Sequence, residues 1–364
     1  MPTPSNTPAT TTGAKEIQDP VLFSQLTERQ AMPQTTQEIA GLGKKQRLLL
    51  EKVGVVSRIR LLIKCEFTPT EEEKAILNPG YPFKLLREVA LQANGVTGVI
   101  DCSGITLAAR RQRVFRNPVS ALFKSPKTGT KLKKEAIKTE FVIDIPIAHD
   151  MLTLIGSILA QNEETQLSIL LNWASEEELL EAGAIEKFKG EVVWATTVFS
   201  IGSTTQGKEE VLVLPDLSAF HGLIDNEVAL NTKPNAKAEL IRTAGQLLCY
   251  TAAVLQKGGK SILSPAEWTS FKVEYGGNKD PLVWNPASEL LELNADEYDG
   301  PLAVGEGTNK VTLLAYDCEV DHPSRDLIIP ESLTELRSVI QVPGTFEPES
   351  AKILTSQETL YPAV

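Results

Sequence analysis

The stretch RIRLLIKCEF, residues 58–67, constrains the fold more than any other part of the chain, because its apolar and charged side chains alternate. Apart from Leu62, the residues between the apolar positions are charged. A period of two predicts a β-strand that buries one face and exposes the other. The side chains on the predicted buried face are Ile59, Leu61, Ile63, Cys65 and Phe67.

Several further segments resemble strands in pattern and composition, and turn signals separate them. The segments are 139–147, 167–173, 191–199, 210–215, 271–275 and 311–320. The turn signals are Asn78-Pro79-Gly80, Asn94-Gly95, Gly258-Gly259 and Gly276-Gly277-Asn278. Many short strands with Gly and Pro between them predict an all-β chain built from sandwiches or barrels.

The first 40 residues predict an extended N-terminal arm. Residues 1–16 are rich in Thr, Pro, Ser and Ala, a composition typical of mobile chain ends. Asp19 as N-cap and Pro20 as first helical residue predict a helix over residues 20–31, which is too short to be stable without a docking surface. We expect this arm to become ordered only on a neighbouring copy or a membrane. Its apolar stripe consists of Val21, Leu22, Phe23 and Leu26.

Helices are few in the rest of the chain. Residues 176–188 predict a helix that links two strand-rich halves, and residues 330–340 predict another, with a capping box between Ser332 and Glu335. Residues 238–255 fit either a helix, because of their alanines, or a long strand that ends at a glycine turn.

The two halves have similar layouts, which predicts two β-sandwiches in tandem, each of about 150 residues. The predicted boundaries are an arm over residues 1–40, a first sandwich with its linking helix over 41–188 and a second over 189–345. Residues 346–364 are predicted to form a C-terminal tail.

Composition restricts the compartment and the partners. The start lacks the basic and apolar segments of a signal peptide, and no apolar run approaches the ~18 residues of a membrane span, so we expect a soluble chain made in a cytoplasm. Four cysteines without C-x-x-C spacing predict buried free thiols. A net charge of −11 argues against sequence-independent binding to nucleic acid.

The charge is unevenly distributed along the chain. Residues 108–138 carry ten Lys or Arg and one acid, Glu135. Segregated charge suits subunits that pack on copies of themselves, so we predict that this segment lies at a contact with neighbouring copies or with lipid headgroups. The residues expected to carry the contact are Arg110, Arg111, Arg113, Lys131, Lys133 and Lys134.

A search for catalytic motifs favours structural roles. The chain has three histidines, and it contains no H-E-x-x-H, no Cys/His metal spacing, no P-loop and no dinucleotide-type glycine motif. His149-Asp150 is interpreted as a strand-to-helix corner in which Asp150 caps a helix. His221, in the segment 217–224, is expected in a short helix that Asp216 caps. We therefore predict no catalytic centre, no cofactor and no metal site.

The three polar residues that follow that predicted short helix have two interpretations. Asp225, Asn226 and Glu227 follow a strand-like run and would suit either a chemical site or a polar loop. Asp-Asn pairs favour turns, so a turn is the preferred interpretation.

The order of these segments resembles the tectivirus-like major capsid proteins of the double jelly-roll lineage that includes adenovirus hexon. Over residues 41–345 the likeness is one of segment order. The segments that carry it are RIRLLIKCEFTPT, NPGYPFKLLREVALQANG, TEFVIDIPIAHDMLTLIGSILAQNEETQLSILLNW, EVLVLPDLSAFHGLIDNEVAL and AELIRTAGQLLCYTAAVLQKGGKS.

The resemblance implies a homotrimer whose six jelly rolls form a pseudo-hexagonal tile of an icosahedral virion shell, usually over an internal membrane. Vertex (penton) and minor capsid proteins would be further partners. Two rival functions remain: a carbohydrate-active jelly-roll enzyme, which would need paired carboxylates in an aromatic groove, and a receptor-binding spike. Aromatic residues make up 6% of the chain, which argues against such a groove.

Overall fold

Two β-sandwiches share one continuous nine-stranded sheet in this computed structural model, which confirms the predicted all-β class with two sandwiches in tandem. The structure describes residues 16–18, 23, 25–32, 35–116, 126, 128–150, 153–161, 166–206, 209–215, 217, 219–229, 235–240, 242, 246–257, 261–275, 282–284, 286–306, 310–319, 329, 335–343 and 351–362.

Strands dominate both halves of the chain. The N-terminal segment contributes β1 (Glu16–Gln18), β2 (Arg29–Ala31) and β3 (Thr35–Glu38). The next strands are β4 (Lys45–Leu49), β5 (Val55–Pro69), β6 (Ile76–Leu77), β7 (Leu86–Ala93), β8 (Val96–Cys102), β9 (Ile137–Pro146), β10 (Ile158–Leu159), β11 (Leu167–Trp173), β12 (Leu180–Ala182) and β13 (Ile185–Phe199).

The second half contributes the remaining strands, and helices are short throughout the described residues. The strands are β14 (Gly202–Gln206), β15 (Glu209–Leu214), β16 (Ala219–Ala229), β17 (Asn235–Glu239), β18 (Leu247–Lys257), β19 (Ser261–Leu263), β20 (Ser270–Tyr275), β21 (Leu282–Trp284), β22 (Ala303–Val304), β23 (Val311–Thr312), β24 (Leu314–Asp317), β25 (Leu336–Gln341) and β26 (Lys352–Pro362). The α-helices are α1 (Gly104–Phe115), α2 (Glu176–Leu179) and α3 (Ala287–Glu297), and 3-10 turns lie at Phe83–Leu85 and Pro265–Glu267.

The first sandwich is organised around β5, whose predicted alternation is confirmed. Its five apolar side chains on one face are all buried. β5 pairs antiparallel with β9 on one edge and with β13 on the other, and the sheet β8-β7-β11-β4 lies opposite. Phe83 and Phe141 meet edge to face between the sheets, with ring centroids 5.4 Å apart. Each fully buried side chain of this size contributes about 1.5–3 kcal/mol to folding.

The second sandwich is organised around β26, which pairs antiparallel with β16 and β18. The four-stranded sheet β17-β25-β20-β21 completes it, and Phe271, Ile340 and Ile353 are buried in its core. The predicted C-terminal tail over residues 346–364 is therefore wrong for the described residues 351–362. They form a central strand, which pairs with β16 along one edge and with β18 along the other.

The two sandwiches are joined by a parallel pair of strands, β8 and β16, with Ile100 opposite Leu223 and Asp101 opposite Ile224. This pair makes the sheet continuous in the order β19-β18-β26-β16-β8-β7-β11-β4. The largest apolar cluster also spans the junction, since Tyr250 and Leu302 belong to it together with the core of the first sandwich. The predicted boundary after residue 188 is wrong, because β13 runs unbroken to Phe199 along β5.

Three helix assignments from the sequence are also corrected, and one ambiguous segment is resolved as a strand. Residues 176–188 contain only the single turn α2, after which the chain enters β12 and β13. The segment 217–224 leads into β16, residues 336–340 lie in β25, and the ambiguous segment 238–255 contains most of β18. In the last case β26 pairs along one edge and β24 and β19 along the other, and such tertiary pairing outweighs the helix propensity of alanine.

All four cysteines are buried thiols, as predicted. A search of the described residues finds no helix with the length and apolar content needed to cross a bilayer.

Candidate functional site

Seven charged or titratable side chains meet inside the junction of the two sandwiches, and we call them the junction cluster. They come from α1, from β16, β24 and β26, and from the segments that follow β9 and β24. The members are Arg110, Arg113, His149, His221, Asp317, Glu319 and Glu358.

Helix α1 supplies the two arginines. The side chain of Ser103, the N-cap, accepts the backbone N–H of Thr106, and the following run is rich in good helix formers. Arg110 and Arg113 are three residues apart, so they lie on the same helix face. That face points into the protein, and the two residues are only 8% and 7% exposed.

Glu358, at 0% exposure, is the centre of the cluster. Its Oε1 accepts from Nε of Arg110 at 2.7 Å and lies 2.8 Å from Nε2 of His221, while its Oε2 pairs with Arg113. Burial alone would raise the pKa of Glu358, but Arg110 and Arg113 outweigh it and hold that pKa well below the usual range. The carboxyl is therefore ionised at neutral pH.

The two histidines of the cluster have opposite protonation behaviour. Burial opposes the protonation of His149, yet the hydrogen bond to Glu319 and the nearby carboxylate of Glu358 outweigh burial and raise its pKa to about 9. Its Nε2 lies 2.7 Å from Oε1 of Glu319, and its Nδ1 lies 3.3 Å from Oε1 of Glu358. Burial lowers the pKa of His221 to about 4, although Glu358 acts in the opposite direction. At neutral pH only His149 is charged.

Arg113 connects the cluster to the second sandwich. Its Nη1 lies 3.1 Å from both carboxylate oxygens of Asp317 and 3.4 Å from Glu319, and its guanidinium lies over the ring of Tyr250 at 4.4 Å. Two arginines and a protonated His149 balance three carboxylates. A buried network of this kind is tolerated only when every charge has a partner, because isolated buried charges are very costly.

The opposite end of α1 is also held by the second sandwich. Asp225 on β16 accepts the backbone N–H of Ser103 at 2.8 Å and the hydroxyl of Thr106 at 2.9 Å. Burial raises the pKa of Asp225 to about 6, although these hydrogen bonds act against the rise. Both ends of α1 are thus fixed across the junction.

The described residues of the segment 211–230, which contains the candidate site residues His221, Asp225, Asn226 and Glu227, are spread along β15 and β16. His221 enters the junction cluster and Asp225 holds α1, while Asn226 donates to the carbonyl of Glu239 and Glu227 pairs with Lys352 at the surface. These side chains do not converge on one point, and the predicted turn at residues 225–226 is replaced by continuous strand.

Of the other two candidate catalytic residues, Asp150 and His322, only Asp150 lies within the described residues. Asp150 accepts the backbone N–H and the hydroxyl of Thr153, so it stabilises a turn. The helix that it was predicted to cap is wrong for residues 153–160, which include the short strand β10. His322 and Asp216 lie outside the described residues.

The predicted basic contact is only partly at the surface. Arg110 and Arg113 are inside the junction cluster, so their assignment to a contact is wrong. The helical period, not anticipated from the sequence, directs both inward. Arg111 is partly buried and donates to the carbonyl of Val142 at 3.4 Å. Lys131, Lys133 and Lys134 are exposed, and Lys134 lies 3.6 Å from Glu186.

The N-terminal segment docks on its own chain. Phe23 is 1% exposed in a cluster with Val55 and Val213, and its ring centroid lies 6.1 Å from that of Phe199. The predicted helix to residue 31 is corrected, because the helical residues end at Leu26 and β2 then pairs with β13. β1 runs parallel to β15 and β3 pairs with β13.

The arm is therefore packed in the subunit, and the prediction that it becomes ordered only after assembly is wrong for its described residues. Leu26 is 38% exposed, and Val21 and Leu22 lie outside the described residues.

Sequence reasoning missed the central residues of this site. Glu358 lies in a segment taken for a tail, and α1 was not predicted, although Ser103 followed by a run of Ala, Leu, Arg and Gln is a helix signal. Ion pairs between positions so far apart leave no local pattern.

The comparisons with known proteins bear on the fold. No protein-family model matches the chain, and no curated protein sequence matches it. The solved structure of the STIV MCP matches with a TM-score of 0.63 at 10% identity, over 91% of this chain and 97% of that chain.

Two other solved structures match over a similar extent. The PBCV-1 virus capsid gives a TM-score of 0.58 at 8% identity, over 92% of this chain and 95% of that chain. The Faustovirus major capsid protein gives 0.57 at 6% identity, over 93% and 90%. At such low identity these likenesses concern the fold, which is the double jelly roll that the resemblance implied.

Proposed function

We propose that this chain is the major coat subunit of an icosahedral virus, and that it acts as a homotrimer that tiles the shell. The observation that carries the proposal is the full-length match to solved coat proteins, over 91% of this chain and 97% of the STIV MCP. A match confined to one sandwich would carry much less weight, because a single jelly roll serves many unrelated functions.

The junction also supports a role as a tile. A shared sheet, a common apolar core and the junction cluster all fix the relative orientation of the two sandwiches. A subunit that must present the same outline in every copy needs this rigidity. Closed point-group symmetry requires each interface to recur with the same geometry.

We further propose that the protein is not an enzyme. A glycosidase needs two carboxyl groups about 5–10 Å apart that face a substrate groove, one of them able to donate a proton. In the junction cluster, Glu358 is buried and held ionised by two arginines. Its carboxyl can neither reach a polysaccharide nor supply a proton at neutral pH.

The partners follow from the same proposal. Neighbouring trimers would contact each other through the sides of the tile, and minor and vertex proteins would bind at its edges. The inner face would lie over a membrane. The location is the virion capsid, with the subunit made in the host cytoplasm.

The proposal is tested by measuring size in solution and assembly. Sedimentation and light scattering of purified protein should give a compact species of three times the 39.7 kDa chain mass. Electron micrographs of co-expressed viral proteins should show shells tiled by this trimer. A stable monomer that never enters particles would refute the proposal and favour an enzyme or a binding protein.

A further inference from the structure

Three side chains of types that can ligate a metal converge at the junction cluster. They are His149, Cys249 and Glu319, and their donor atoms all lie within 4.8 Å of one another. Nε2 of His149 and Oε1 of Glu319 are 2.7 Å apart. We propose that these three side chains form a binding site for a divalent transition-metal ion of the zinc class.

The donor set has the chemistry of such a site. One imidazole nitrogen, one sulfur and one carboxylate oxygen are the ligand types that Zn²⁺ takes, at about 2.0–2.3 Å from the ion. Around a tetrahedral ion, such donors lie about 3.3–3.8 Å from one another by the same bond lengths. The side chains therefore need to shift by only about 1 Å. A thiolate also selects against Mg²⁺ and Ca²⁺, which prefer oxygen donors.

Nε2 of His149 already lies beside the carboxylate of Glu319, one of the two other proposed ligands. When Nε2 faces the ion, Nδ1 must carry the proton and should donate it to an acceptor. Nδ1 is buried and has no hydrogen-bond partner with good geometry, but Oε1 of Glu358 lies 3.3 Å away. Metal-ligating histidines almost always donate their other N–H to a carboxylate, a carbonyl or water, so Glu358 is placed to fix the ring.

A neighbouring triad, His149 with His221 and Glu358, is the weaker candidate. Both oxygens of Glu358 are already paired with Arg110 and Arg113, so an ion there would lie beside two guanidinium groups. The site with Cys249 faces one guanidinium, that of Arg113, at 3.4 Å from Glu319. The side chains of His149 and Glu319 are 11% and 14% exposed, so water can reach a fourth position on the ion.

Cobalt is the probe for the test, because a thiolate ligand gives Co²⁺ a charge-transfer absorption band. Protein stripped with a chelator is titrated with Co²⁺, and one equivalent with this band is expected. Zn²⁺ should displace the cobalt, and Mg²⁺ should not. Cys249→Ser should lose the band. Cys65→Ala, which alters a buried thiol on β5 away from the cluster, should keep it.

Two outcomes would overturn the proposal: no retained Co²⁺ in the wild-type protein, or a band that persists in Cys249→Ser. If that variant does not fold, X-ray absorption of the zinc-loaded wild-type protein decides the question. One sulfur neighbour is expected at the ion, and a shell of only nitrogen and oxygen would refute the site. The readouts use the purified subunit, so they stand independently of the proposed coat function.

Discussion

Arg110 on α1 and Glu358 on β26 form an ion pair of 2.7 Å in the interior, although 248 positions separate them in the chain. The pair joins the first sandwich to the last described strand of the second. Its geometry has a direct consequence for stability, since a buried charge that loses its partner costs far more than an exposed one.

Replacement of Glu358 by Gln should therefore destabilise the subunit strongly. Arg110 and Arg113 would keep their charges in the interior without the central carboxylate, and we expect a loss of about 3–5 kcal/mol in the free energy of unfolding. Denaturant titration measures it. The matched control is Glu191→Gln, which removes an exposed pair with Lys64 and should cost about 0–1 kcal/mol. Equal losses in the two variants would contradict a central role for Glu358.

Asp225 should make stability depend on pH in the direction opposite to that of most carboxylates. Burial raises its pKa from 3.8 to about 6 in the folded state. The neutral carboxyl of Asp225 therefore contributes fully to stability at pH values below its pKa in the unfolded state. This contribution is lost as the pH rises through about 6, its pKa in the folded state. Asp225→Asn cannot ionise, so its stability relative to the wild-type protein should rise by about 1–3 kcal/mol between about pH 4 and pH 7.

The comparison is made by unfolding both proteins across this pH range. Glu227→Gln on the same strand is the control, since Glu227 is half exposed and pairs with Lys352 at the surface. A constant difference between Asp225→Asn and the wild-type protein at all pH values would show that Asp225 titrates as an ordinary carboxyl.

Phe23 should contribute to the stability of the isolated subunit. Its ring is buried, and Phe23→Ala should cost about 3–5 kcal/mol. Leu26→Ala, two-fifths exposed in the same segment, should cost about 0.5 kcal/mol or less. Limited proteolysis of unassembled protein should spare residues 23–38. Rapid cleavage within that segment would show that it detaches easily from the surface of the subunit on which it packs.

The exposed lysines keep their predicted role in assembly, which rests on the proposed coat function. Reversal of Lys131, Lys133 and Lys134 to Glu should leave the subunit folded, because all three are exposed. Particle formation should become weaker and its salt dependence should change, since contacts between exposed charges are screened within about 8–10 Å at moderate salt. Light scattering at several salt concentrations reports this. Assembly identical to that of the wild-type protein at every salt concentration would show that this segment does not contribute to the contacts between subunits.

The sequence predicted the strands best where one face alone is buried. In β5 the charged side chains face outward between buried Ile59, Leu61 and Ile63. The sequence therefore shows the period of two that is typical of a half-buried strand. The burial of Arg110 could not be predicted from the sequence, because arginine is usually exposed and a segment rich in arginine is normally assigned to the surface. Its partner Glu358 stands far along the chain, and only the folded structure brings them together.

The helix errors have a related cause. Residues 180–188 contain good helix formers, but β12 and β13 place them in pairs with β6 and β5. Local propensity amounts to tenths of a kcal/mol per residue, and a full ladder of strand pairing exceeds it. Similarly, Cys249 and Glu319 gave no metal motif, because only the pairing of β18 with β24 brings these two distant positions together.

The central position of β26 also orders events during synthesis. Lys352–Pro362 is synthesised after every other described strand. One edge of β16 and one edge of β18 therefore stay unpaired until these residues have left the ribosome. A nascent chain that stalls before Lys352 lacks Glu358 as well, and it exposes strand edges of the kind that pair with other chains. Closure of the second sandwich therefore depends on the synthesis of Lys352–Pro362. Products that terminate before Lys352 should be recognised by chaperones and proteases.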